Sequence, residues 1–286
     1  MEDYHEYIKE LRSINIDGDI DHKGQHLQLT VKASIFSISS LLYLLLSSIF
    51  SKAVSKRMSV SQNDKQVQRI TSYMLSSVHA VLAIMIWLHM TFISCKIPKQ
   101  TFLTDYRCLD YTSGGMEVGM MISLAYFICD FISVKLIFVK GRMVLETFLH
   151  HMIAITGICS ALVIGRCLGP IMISLLITEI STIFLNNRFI MKEVSYDEKS
   201  ILFKANGIAL IISFFISRIL FMGFLLIGYV GPIFLNYDYA QAEKEIGVIK
   251  VTWGRTMMFL YGLLYILNIF WFSKLIQGYK KFIKAQ

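Results

Sequence analysis

Charge is scarce in this chain. Only 17% of its 286 residues are Asp, Glu, Lys or Arg, where a soluble domain averages about 25%. Proline is rarer still, with three in the chain, so few positions are barred from a helix interior. The five cysteines are an odd number with no zinc-type spacing among them, which excludes a cysteine-rich metal module. Cys95 and Cys108 fall in one loop, where they either pair in an oxidising compartment or stand as unpaired small residues. The HxxxH and HxxHH boxes of a di-iron desaturase are missing. There is no internal repeat, which argues against an inverted-repeat transporter. The net charge of +8 comes without a basic stripe interleaved with aromatics, so nucleic acid is not an expected partner. The first residues, MEDYHEYIKE, are acidic where a signal peptide or presequence would be basic. The first apolar span is therefore expected to act as the insertion signal.

What the chain does have is apolar length. Hydrophobic residues make up 55% of it, gathered into runs rather than short amphipathic segments. A hydrocarbon core of about 30 Å needs about 20 helical residues. Runs of that order lie near 31–50, 70–94, 115–139, 145–165, 168–187, 205–231 and 254–276. The predicted fold class is all-α, a multi-pass transmembrane bundle or barrel with about seven spans. The fourth and fifth spans are joined by a few residues around Arg166–Gly169, with Pro170 in the first turn of the fifth. Gly115 and Gly119 form a GxxxG pair that favours close helix packing.

Basic residues set the expected orientation. Lys52, Lys56, Arg57, Lys65 and Arg69 lie in one loop, Lys140 and Arg142 in a second, Arg188, Lys192, Lys199 and Lys204 in a third, and Lys274, Lys280, Lys281 and Lys284 in the tail. Seven spans put these on one face, predicting an outside or lumenal N-terminus and a C-terminus in the cytosol or matrix. Before the first span, Tyr4, Ile8, Leu11 and Ile14 make a helical stripe with an acidic opposite face. That segment reads either as a docking helix for a protein partner or as a solvated tail. The chain divides into a polar N-terminal segment at 1–30, a first span and basic loop at 31–65, a main membrane domain at 66–280 and a basic tail at 281–286.

Several polar residues stand where lipid would penalise them. They are His79 in the second span, Asp130 and Lys135 in the third, His150 and His151 in the fourth, preceded by Glu146, Glu179 in the fifth, Arg218 in the sixth and Asn268 in the seventh. Counted from the basic side, His79, Asp130, His150, His151, Glu179 and Asn268 occupy a layer roughly 9–20 Å deep, with Arg218 slightly deeper. A charge at mid-membrane costs about 2.5–3.5 kcal/mol on insertion scales. The layer is therefore expected to face inward and pair, either as a packing network or as the polar lining of a ligand cavity. Lys135 can snorkel, and His89 sits near the opposite face. A seven-helix receptor is not supported, because the third span lacks a DRY-like end and the seventh lacks NPxxY and a buried lysine.

The segments SSVHA, AYFICDF, FLHHMIAITG, LLITEISTIFLNNR and FFISRIL carry these residues in order. In these segments the chain resembles the TLC-domain family, and more closely its non-synthase members than the ceramide synthases. The resemblance implies a helical barrel around a cavity able to hold an acyl chain, with the endoplasmic reticulum as the usual membrane. In the synthases the paired histidines act in acyl transfer from acyl-CoA to a long-chain amine, and His150 and His151 occupy those positions. The synthases also carry an HDxxD-type motif on the next helix. Here that stretch reads LLITEIST, with Glu179 as its only acid.

Three readings follow. The first is a non-enzymatic protein that binds lipid acyl chains and influences membrane lipid composition, with His79, Asp130, Glu179, Arg218 and Asn268 as the polar lining. The second is an accessory subunit of a larger membrane complex, for example in the mitochondrial inner membrane. The third is an acyltransferase using His150 and His151. No metal or cofactor is expected in any of them; acyl-CoA enters only as a substrate of the third.

Overall fold

The computed structural model describes residues 27–62, 64–93, 101, 108, 112–137, 142–165, 168–236 and 239–284. Secondary structure among them is helical throughout. The long helices are α1 (Leu29–Met58), α2 (Lys65–Ile93), α3 (Gly114–Ile137) and α4 (Arg142–Ile164), then α5 (Leu168–Glu193) and α6 (Ile201–Leu235). A short α7 (Tyr239–Ile246) precedes α8 (Val248–Lys284). Six of these are long and apolar enough to cross a membrane. The described apolar part of α4, Phe148–Ile164, is shorter, though the whole helix has 23 residues, about 34 Å of rise. This is an integral membrane protein, and each apolar run in the sequence coincides with one helix. The polar helix α7 lies between the sixth and seventh apolar runs. The apolar stripe at Tyr4–Ile14 lies outside the described residues, as do Cys95 and the side chains of Lys135 and Glu146.

Helix α1 runs past its apolar run to Met58, where Lys56 and Arg57 occupy the last turn and suit the negative end of the helix dipole. It sits on the rim. Leu41, Leu42, Leu44 and Leu45 are exposed, and Tyr43 is its buried residue. A fully buried carboxylate holds it. Glu117 on α3 pairs with Lys32 Nζ at 2.8 Å and accepts the backbone N–H of Leu27 at 2.8 Å.

Close approach of α2 and α3 depends on the glycine pair. A Cβ at Gly119 would lie 2.5 Å from Ile86, and one at Gly115 would lie 3.0 Å from Met90. The α4–α5 turn begins at Gly165, whose φ of 67° suits glycine and whose N–H reaches Ala161 O at 2.8 Å. On the side of the basic loops, Arg69 grips Glu193 through two bonds of 2.6 and 2.7 Å, tying the start of α2 to the end of α5.

Two helices lose α-geometry where they matter most. Helix α5 tightens to a 3-10 turn at Leu176–Glu179, and α6 widens to π turns at Phe215–Phe221 and Leu226–Val230. A wide turn loosens the carbonyl ladder, and lipid offers no water to repair it. Helix α8 supplies hydroxyls instead. Tyr265 donates to Ile219 O at 3.2 Å and Tyr261 to Met222 O at 3.1 Å. Helices α2 to α6 and α8 thereby enclose an interior space, with α1 outside it.

Candidate functional site

That space is a cavity of about 450 Å³ to which all six enclosing helices contribute. Its lining extends to Phe189 and the exposed Lys274, near the ends that carry the basic loops. A second, smaller chamber of about 90 Å³, lined mainly by apolar side chains such as Ala154, Ile171 and Leu264, lies beside it. The two chambers share Phe127, His150, Glu179 and Arg218.

On α3, Tyr126, Phe127 and Asp130 share one face by helical spacing, and all three meet the cavity. Asp130 is well satisfied. His151 Nε2 lies 2.8 Å from its Oδ2, and the hydroxyls of Tyr43 and Ser72 donate to Oδ1 at 3.4 Å each. Successive helical residues point about 100° apart, so His150 faces a different neighbour. Its Nε2 lies 3.9 Å from Glu179 Oε1 on α5. Phe127 stands edge-on to both imidazoles, at 6.1 and 5.5 Å between centroids.

Arg218 comes from the π turn of α6 and Glu179 from the 3-10 turn of α5, the kind of mid-helix irregularity frequent at functional sites. Arg218 donates through Nε to Ser181 at 2.9 Å and through Nη2 to Thr182 at 3.2 Å. Its Nη2 is 3.8 Å from Glu179 Oε1. Glu179 is thus faced by a histidine and an arginine, each beyond hydrogen-bonding distance.

The structure brings Asp130, His150, His151, Glu179 and Arg218 together around one cavity. His79 and Asn268 do not line that larger cavity. The His79 ring lies flat against Tyr126, 3.8 Å between centroids and 8° between planes, and among the described residues neither nitrogen has a partner. Asn268 lines the apolar chamber, donating to Leu264 O at 2.8 Å. Sequence reasoning passed over Tyr43, Ser72, Tyr126, Ser181 and Thr182. The Ser181–Thr182 pair, just after Glu179 in an apolar run, was a readable sign; the reach of Tyr43 from an outer helix was not.

Comparison with known families matches the TLC domain over residues 64–277. Comparison with curated proteins finds no match.

Proposed function

This chain belongs to the TLC-domain family, and on that premise we propose that it holds a lipid inside the membrane, polar head in the larger chamber and acyl chain towards the apolar one. By sequestering or presenting that lipid it influences membrane lipid composition. The observation that carries this reading is the shared wall. His150, Glu179 and Arg218 border both chambers, so one amphipathic molecule can meet polar and apolar surroundings at once. Co-purified lipid measured by mass spectrometry tests it. Protein from mild detergent should carry stoichiometric lipid, and Ala154→Trp, which fills the apolar chamber, should lose it while keeping its thermal midpoint. Lipid-free wild-type protein would end the reading.

A second reading is favoured by one specific contact, the 2.8 Å pair of His151 and Asp130 beside a second imidazole. A carboxylate that orients one histidine next to another is a workable acid–base arrangement. In that reading the protein transfers an acyl group from acyl-CoA to an amine. Acyl-CoA consumption abolished by His150→Ala and by His151→Ala would support it; undiminished turnover in both would exclude it. The missing HDxxD stretch weighs against it.

The orientation belongs to the same proposal. Cys108 is disulfide-bonded, and such bonds persist in oxidising compartments. This supports a lumenal or equivalent α2–α3 loop and cytosolic or matrix basic loops. The endoplasmic reticulum is the family's usual membrane; the mitochondrial inner membrane is the alternative.

A further inference from the structure

The two carboxylates of the cavity differ in one respect that bears on what the cavity takes. Asp130 has three protein partners. Glu179 is 6% exposed, lines both chambers, and among the described residues receives a hydrogen bond from no side chain; its two charged or ionisable neighbours stop at 3.8 and 3.9 Å. A buried carboxylate without a donor is costly, and here the missing donor can come only from the cavity.

The neighbours restrict what that donor can be. An ammonium head could donate to Glu179 but would bring a second cation against Arg218, which is itself anchored to Ser181 and Thr182. A phosphate head would be drawn to Arg218 and Lys274 but would bring more negative charge against Glu179 and leave it without a donor. Both repulsions act with little water to screen them. A hydroxyl both donates and accepts, so one oxygen can give its proton to Glu179 and receive one from Arg218 or His150. The apolar tail adds little selectivity of its own, because bilayer and chamber are similarly apolar.

We propose that the waist formed by His150, Glu179 and Arg218 selects lipids with an uncharged hydroxyl head, such as long-chain alcohols or monoacylglycerols, over phosphate- or ammonium-headed lipids of the same chain. The inference rests on the lipid-holding reading above.

Competition against a fluorescent acyl probe, using the purified full chain in neutral detergent, tests it. The competitors are a long-chain alcohol, a monoacylglycerol, a lysophosphatidic acid and a long-chain amine, all with one chain length. The hydroxyl-headed pair should compete at least about tenfold better than the other two, equivalent to about 1.4 kcal/mol. Glu179→Leu should reduce the preference to within about threefold while the probe still binds, and Glu179→Gln, which keeps an acceptor, should retain more of it. Equal competition by all heads, or a preference for phosphate or amine, overturns the selection and leaves lipid holding intact. Failure of the probe and every competitor to bind wild type removes the lipid-holding reading itself. Should Glu179→Leu not fold, the wild-type panel and Glu179→Gln decide.

Discussion

Truncating Asp130 to Ala strips His151, Tyr43 and Ser72 of a common acceptor in a buried place. Removing one member of a buried pair costs about 3–5 kcal/mol, so Asp130→Ala should melt well below wild type in detergent. Glu179→Gln loses no hydrogen bond from a protein side chain among the described residues. Its stability should stay within about 1 kcal/mol of wild type, the size of an ordinary net hydrogen bond. A thermal-shift comparison of the two variants checks the contrast. Equal destabilisation would mean that both carboxylates serve packing.

At the scale of elements, glycine and tyrosine carry the helix contacts. Gly119→Leu must displace Ile86, since even a Cβ would lie 2.5 Å from it. Overpacking of this kind costs about 1–3 kcal/mol, and it should appear as a lower midpoint and faster proteolysis between α2 and α3. Tyr265→Phe withdraws the donor to Ile219 O in the π turn. Hydrogen bonds between membrane helices average about 0.6 kcal/mol and reach about 1.7, so a loss in that range is expected from unfolding in mixed micelles. The π turn also presents Arg218, so the same variant should alter lipid binding more than its stability cost suggests.

Across the whole molecule, α1 lies outside the matched TLC region yet is bound to it through Lys32–Glu117 and Tyr43–Asp130. Lys32→Met should remove the 2.8 Å Lys32 partner of the fully buried Glu117 and loosen α1, read as increased hydrogen exchange along α1. The proposed topology predicts that Cys108 resists an impermeant maleimide until it is reduced. A single cysteine introduced at Ser61 should then react only from the cytosolic or matrix face. Labelling of both sites from one face would refute that orientation.

Amino-acid order alone determined that this protein is helical and crosses the membrane repeatedly, because apolar runs of spanning length leave the backbone no other way to satisfy itself. It also singled out the costly polar residues, since lipid penalises them wherever they point. Which of them converge was decided by the tertiary structure. A ring that stacks on Tyr126, as His79 does, reads in sequence the same as one that faces the cavity, as His150 does. Likewise Asp130 and Glu179 are both single acids in apolar helices. Only the packing of six helices and the 3-10 and π turns that aim Glu179 and Arg218 gave one carboxylate three partners and left the other facing the cavity, because hydrogen bonding depends on distances between helices that no local pattern encodes.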